Sequence, residues 1–353
     1  MRIGIIGCGS ISGIYFENLA ALEGVEVAAC ADLDLQRARE VAERYGVRAE
    51  RVEAMMADPE IEMVLNLTVP RAHYEVNKSV LLAGKHVYCE KPLAIRVEDA
   101  QELLELAAEK GLRIGGAPDT FLGAALQTCR GLIDAGAIGR PIGGNAFMLC
   151  HGHESWHPSP QFYYALGGGP LFDMGPYYLT ALVSLMGPVA TVTGMTQTTF
   201  PTRTITSKPR GGEVIQVETP THLVGVLAFA SGALVQITTS FDVWASELPH
   251  IEIYGTEGTL SVPDPNAFGG PVRIRRAGSE AWEDVPHTHE HAENSRGLGV
   301  WDMACSIAEG RPHRASGELA AHVVELINAV HTSSREGRHV AIVSRTDRPE
   351  PFG

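Results

Sequence analysis

The sequence predicts an α/β N-terminal domain with a parallel sheet, joined to an α+β C-terminal domain with a large, mostly antiparallel open sheet. Three observations lead there. Ile3-Gly-Ile-Ile-Gly-Cys-Gly-Ser-Ile-Ser-Gly13 reads as a buried strand running into a glycine turn and a helix start. Apolar runs and helically spaced segments then alternate through the first third of the chain. From about residue 140 onward, strand-like runs follow one another with turn signals and no helices between them.

Taken in order, the first-third strands fall at 3–7, 25–31, 62–67, 86–89 and 112–116, with helical spacing over His73–Leu82 and Val97–Lys110. The first domain is expected to end near Ala117-Pro118, giving boundaries of 1–118 and 119–353. A helix at about 120–135 leads into strands at 142–150, 189–199, 221–230, 233–241, 250–262 and 271–276. Turn signals join several of them: Ser231-Gly232, Gly255-Thr-Glu-Gly258 and Pro263-Asp-Pro265. Helical spacing returns at 299–309 and 316–335. The polar, proline-containing tail Arg345–Gly353 reads as loosely ordered.

With 353 residues, 44% hydrophobic and 20% charged, the chain can bury two substantial cores. Its net charge of −14, with no basic block, argues against nucleic acid or an anionic membrane as partner. No apolar run approaches the ~20 residues of a membrane span. Met1-Arg2 leads straight into the first strand, so no signal peptide is expected. Cys8, Cys30, Cys89, Cys129, Cys150 and Cys305 are scattered without a Cys-x-x-Cys pair, as expected of small core residues in a reducing cytoplasm.

The glycine turn points to a dinucleotide. Gly7 and Gly9 fill the first two glycine positions of a fingerprint whose backbone N–H groups and helix end hold a pyrophosphate. Ser12 takes the third, where a small residue is needed for helix–strand packing. Asp32 ends the apolar run Val25–Ala31, at the spacing expected of the carboxylate that binds the adenosine ribose. A carboxylate there repels a 2′-phosphate, so NAD is expected rather than NADP. Glu90-Lys91-Pro92 sets an acid, a cation and a rigid turn at the end of the strand at 86–89, which suggests a reactive lysine on the nucleotide domain.

With these parts assembled, the chain resembles the glucose–fructose oxidoreductase/inositol dehydrogenase (Gfo/Idh/MocA) family over nearly its whole length. The resemblance rests on Gly7-Cys-Gly-Ser-Ile-Ser12, Leu65-Asn-Leu-Thr-Val-Pro70 with His73, Glu90-Lys91-Pro92, and Gly167-Gly-Gly-Pro-Leu-Phe-Asp173-Met-Gly175-Pro-Tyr177. It implies a Rossmann domain, with Ser10, Ile11, Thr68, Pro70, His73, Glu90 and Lys91 joining Gly7, Gly9 and Asp32 around the cofactor. It also implies hydride transfer between a nicotinamide and a secondary alcohol of a sugar, polyol or derivative, and a second domain that often forms homodimers or homotetramers. Two positions depart from the family pattern. Tyr177 stands where histidine is common, a variant seen in sugar- and diol-oxidising members, and Gly116–Phe121 lacks a frequent arginine.

Oxidising an alcohol requires a base for the O–H proton. A free tyrosine, with a pKa near ~10, serves only if a cation stabilises its phenolate. Tyr177 is therefore expected as acid/base, Lys91 as its electrostatic partner or as the proton carrier itself, and Asp173 as orienter and cap of the following helix. Tyr178 reads as core. His151, His153, Glu154 and Trp156 suit a sugar, with polar groups for hydroxyls and an indole for a C–H face. Asn294 and Arg296 are further substrate candidates. His-x-His plus a carboxylate could also hold zinc, but carbohydrate contact ranks above it and no metal is expected. His287-Thr-His-Glu-His291 reads as a solvated or pocket-edge loop. Two other functions compete: an NAD-dependent glycoside hydrolase working by transient oxidation and elimination, and a non-catalytic NAD sensor.

Overall fold

The computed structural model describes residues 1–353, which divide into two units, each interrupted in sequence. The first comprises Met1–Leu122, Asn294–Val324 and Phe352; the second comprises Gly123–Glu293, Glu325–Pro351 and Gly353. The stretch 294–324 therefore belongs with the N-terminal unit, where a sequential boundary at 118 would not place it.

In the first unit, strands β1 (Arg2–Ile6), β2 (Glu26–Ala31), β3 (Arg48–Glu50), β4 (Met63–Asn66), β5 (His86–Cys89) and β6 (Ile114–Gly116) form one sheet in the order β3-β2-β1-β4-β5-β6. All five pairings are parallel. Helices α1 (Ser12–Ala20), α2 (Leu35–Tyr45), α3 (Val52–Ala57), α4 (Pro70–Leu82) and α5 (Val97–Glu109) provide the crossovers. β1 and β4 are near-continuous apolar runs because a parallel sheet is covered on both faces. Strand order reverses between β1 and β4, so their carboxyl ends, leading to Gly7 and Thr68, border the crevice where such sheets bind ligands. The short β3 and α3 fall between the expected strands at 25–31 and 62–67 and add to the alternation read from the sequence. α4 begins earlier than its apolar spacing suggests, with Pro70 in its first turn.

The second unit opens with the helix α6 (Ala124–Asp134), preceded in the chain by a 3₁₀ turn at Thr120–Leu122. Then come β7 (Pro141–Leu149), the one-turn α7 (Pro170–Asp173), α8 (Gly175–Met186) and β8 (Val189–Gln197). A small hairpin pairs β9 (Thr202–Thr204) with β10 (Val214–Gln216). The remaining strands are β11 (His222–Phe229), β12 (Leu234–Ser240), β13 (Ile251–Gly255), β14 (Gly258–Val262), β15 (Val272–Arg276) and β16 (Glu283–Val285). Helices α9 (Leu298–Glu309) and α10 (Gly317–Glu336) and the two-residue β17 (Val340–Ala341) complete the chain. The large sheet runs β16-β15-β14-β13-β7-β12-β11-β8-β17 and is antiparallel except where β7 pairs parallel with β12. The expected strand at 250–262 is a hairpin, β13–β14.

Every residue of α8 is buried, the polar Thr180 and Ser184 included, as expected of a helix that is largely apolar on all sides. α10 is split between the units. Ala320, Ala321 and Val324 join the core beneath the parallel sheet, together with Val64, Val87 and Leu103. Its later half, in the second unit, sets Val330 against β8, where a Cβ on Gly194 would fall 2.7 Å from Val330 Cγ1. The C-terminal tail is tied down rather than loose: Arg348 Nε donates to Ser184 O at 3.1 Å, and Arg130 Nη1 donates to Pro349 O at 2.7 Å. No helix is long and apolar enough to cross a membrane.

Candidate active site

The first unit supplies a dinucleotide cradle. Gly7 closes β1 at φ +102°, and a Cβ there would stand 2.6 Å from Leu67 O, so only glycine fits. Around the position of a Cβ on Gly9 there is open space. Ser12 is buried and its hydroxyl donates to Gly9 O at 2.8 Å, closing the turn from the third fingerprint position. Ser10 and Ile11 are exposed, and Ile11, the N-cap of α1, gives the helix no side-chain cap. That leaves the positive helix end to an outside anion. Asp32 is fixed beside the turn, its Oδ2 accepting from Cys8 N–H and its Oδ1 from Asp34 N–H, both at 2.9 Å. A glycine cradle, an uncapped helix end and an oriented carboxylate together fit a dinucleotide, which Gly7, Gly9, Ser10, Ile11 and Asp32 would hold.

Beyond β4 and β5 a second set of polar side chains is locked together. Asn66 Oδ1 accepts from both the N–H (3.1 Å) and the hydroxyl (2.7 Å) of Thr68, while its amide donates to Asn77 Oδ1 at 2.8 Å. His73 is buried with Nδ1 2.7 Å from Pro92 O and Nε2 3.0 Å from Thr68 O. Burial holds its pKa below the ordinary histidine value. His73 thus fastens the Thr68 loop to the Lys91-Pro92 turn. Glu90 is likewise buried: Oε1 accepts from Tyr15 OH at 2.7 Å and Oε2 from Lys91 N–H at 2.9 Å. Lys91 itself is half-buried. Asn294 and Arg296 fall in this unit too. Arg296 donates to Asn294 Oδ1 at 2.7 Å, and the carbonyls of both accept from Asn18 of α1 at 2.8 Å. Nearby Asp119 accepts from Gly297 N–H (2.8 Å) and Gly299 N–H (3.0 Å), and burial pushes its pKa up to about 6.

The second unit holds the other candidates. Asp173 ends α7 and Tyr177 lies in the first turn of α8, both mostly buried. The N-cap of α8 is Met174, so Asp173 is not the cap the sequence suggested. His153 Nε2 lies 3.6 Å from Asp173 Oδ2. The His153 ring stacks on Tyr163 at 3.8 Å and meets the edge of Phe241 at 4.6 Å. His151 stacks on the exposed Trp244 at 3.3 Å. Trp156 keeps 62% of its surface exposed and tilts against His153 at 5.2 Å. Tyr178 is buried with its hydroxyl 3.0 Å from His250 Nδ1.

Glu154 differs from expectation. Its Oε1 accepts from Arg203 Nη1 at 2.8 Å, its Oε2 accepts from Tyr164 OH, and its carbonyl takes Thr206 N–H (2.8 Å) and Ser207 N–H (3.0 Å). Arg203 also pairs with Asp242 and donates to Phe241 O at 2.9 Å. The carboxylate is committed to holding its loop and is not offered to sugar hydroxyls. Burial and the Glu154 carboxylate push the Tyr164 phenol up, keeping it a donor. Arg203, Asp242 and Tyr15 carry no local sequence signal, since their partners lie on distant segments, and Tyr164 meets Glu154 across ten residues with no motif to mark the pair. In the 287–291 loop, His287 Nε2 lies 2.8 Å from Gly270 O, and no three His, Cys, Asp or Glu side chains converge as a metal-ligand set.

Residues 1–116 match the model of the oxidoreductase family with an NAD-binding Rossmann fold, GFO_IDH_MocA, and residues 126–261 match the GFO/IDH/MocA C-terminal domain. The chain is 26% identical over 332 residues to the 1,5-anhydro-D-fructose reductase of Ensifer adhaerens, covering 87% of this chain and 94% of that one. It is 25% identical over 334 residues to the D-xylose dehydrogenase of Paenarthrobacter nicotinovorans, covering 86% and 84%. Levoglucosan dehydrogenase, solved with NADH and L-sorbose, shares the fold with a TM-score of 0.83 at 21% identity, over 98% of this chain and 99% of that one. With its 3-2-1-4-5-6 parallel sheet, glycine cradle and large mixed sheet, the chain belongs to the GFO/IDH/MocA oxidoreductase family.

Proposed function

We propose that this enzyme is an NAD-dependent dehydrogenase moving a hydride between the nicotinamide and a secondary alcohol of a sugar, polyol or sugar derivative. The observation that carries the reading is the cradle at Gly7 with Asp32 fixed beside it, on the same sheet whose β5 ends in Glu90-Lys91-Pro92. NAD, when bound, supplies the hydride acceptor. The relatives that act on anhydrofructose and xylose support a carbohydrate substrate.

The chain's own residues handle the proton. In the second unit Tyr177 serves as acid/base and Asp173 orients, with His153 beside it; in the first unit Lys91 supplies a positive charge or carries the proton itself. His151, His153 and Trp156 contact the sugar. The immobile charge of Asp32 favours NAD over NADP by repelling a 2′-phosphate. Exposed apolar side chains on the strands, Met195, Val226 and Leu234, support a homodimer or homotetramer. Six free thiols, four of them buried, suit a cytoplasmic setting.

The test mixes protein and NAD with levoglucosan, D-xylose, myo-inositol and a panel of glycosides, following NADH absorbance. NADH accumulating with one class is the expected result. Aglycone release without NADH would instead establish the glycoside hydrolase. Lys91→Met should lower kcat by about 10²–10⁴-fold, the usual scale of proton-transfer catalysis, with NADH affinity kept. Full turnover in that variant overturns the lysine's role.

A further inference from the structure

We infer that Tyr15 is a positioning residue for Lys91, acting through the buried carboxylate of Glu90; the inference rests on the role proposed above for Lys91. Tyr15 lies in the first turn of α1, the helix opened by the glycine cradle, and is fully buried. Its hydroxyl reaches 75 residues along the chain to donate to Glu90 Oε1 at 2.7 Å. Glu90 Oε2 accepts from the N–H of Lys91 itself at 2.9 Å, and Glu90 N–H donates to Asn66 O at 2.9 Å. Each carboxylate oxygen therefore has a separate task, one on the cofactor helix and one on the backbone of the lysine.

A charge-assisted bond in a dry site holds geometry more tightly than a neutral one. Burial and the Glu90 charge push the Tyr15 phenol well above its ordinary value, so it remains a donor throughout the working pH range. Without that donor, Oε1 is left buried and unsatisfied. The carboxylate must then turn towards another donor or admit water, and its hold on Lys91 N–H loosens. A tyrosine that merely filled space would lower stability without altering how Lys91 reacts.

The experiment uses the full chain with Tyr15→Phe and reads Lys91 without any substrate. Trace acetic anhydride labels the amines, and peptide mass spectrometry follows Lys91 against Lys78, Lys110 and Lys208. Lys91 labelling should change by at least about threefold while the other three stay level, given the scale of a lost charged hydrogen bond. NADH affinity, read by fluorescence, should hold within about twofold, since the cradle is untouched. Glu90→Gln should shift Lys91 labelling as well, and the double variant should do no more than the larger single change. Unchanged Lys91 labelling, or effects that simply add, overturns the inference. If Tyr15→Phe does not fold, Glu90→Gln decides alone, with unchanged labelling again overturning it. A Lys91→Met enzyme that turns over would refute the lysine's catalytic role while leaving the labelling result standing, so the two failures are distinguishable.

Discussion

Replacing Arg203 by Met should loosen the loop that carries His151, His153 and Trp156 before it does anything else. The guanidinium side chain is 5% exposed, and its two carboxylate partners, Glu154 and Asp242, are 11% and 7% exposed. Removing the cation leaves both carboxylates buried beside one another, a change that costs about 3–5 kcal/mol when one partner of a buried pair is lost. Thr206 and Ser207 donate their N–H groups to the Glu154 carbonyl, so they report the loop's opening directly. Native-state hydrogen exchange at those two amides should accelerate by at least ~10²-fold, the equivalent of about 3 kcal/mol. Adding Glu154→Gln and Asp242→Asn should recover part of the loss, because the stranded charges, more than the missing attraction, set the cost. Acceleration below about fivefold, or no recovery in the triple variant, would refute this reasoning.

Three further outcomes follow from the nucleotide-binding unit. Gly7→Ala should abolish measurable NADH binding in calorimetry, because the new Cβ meets Leu67 O at 2.6 Å on a backbone of φ +102°. Asp32→Ser should raise the NADP/NAD ratio of kcat/KM by on the order of tenfold or more through loss of the fixed negative charge; an unchanged ratio would dismiss Asp32 as the selector. Asp119 titrates at about 6 in the folded chain against an ordinary 3.8, so between those values the native state holds the extra proton. Stability therefore falls as pH rises from about 4 to 6, by up to roughly 3 kcal/mol. Asp119→Asn, whose amide oxygen can still accept from Gly297 and Gly299, should flatten that slope in denaturant titrations across the window.

The parallel sheet and its cradle were legible because their signals are local: glycines that the backbone demands, and continuous apolar strands. Asp32 was readable by spacing alone. The second unit was less transparent. Its parallel β7–β12 pair joins strands separated by the whole α7–β11 segment, and no periodicity announces which strand a partner will be. Glu154 looked like a sugar ligand because its neighbours are His153 and Trp156; Arg203, 49 residues away, claims it instead. Asn294 and Arg296 lie beyond the sequential boundary at 118, yet they fall in the first unit, where Asn18 holds their backbone carbonyls. His73 carried a motif signal, but its ring is turned onto two carbonyls. Motif position reveals that a residue matters; the packing around it reveals how.

The division of α10 between the two units has a consequence for biosynthesis. The parallel sheet's core includes Ala320, Ala321 and Val324, so residues 1–122 emerge from the ribosome long before the helix that completes their packing. Until then the nascent sheet presents an apolar face that must be shielded from other chains. A gene fragment ending near residue 122 would make that exposure permanent, and nonsense or frameshift lesions late in the gene would unseat the first unit as surely as the second. The cofactor can protect the finished cradle by mass action, but it arrives too late to guard the unfinished one.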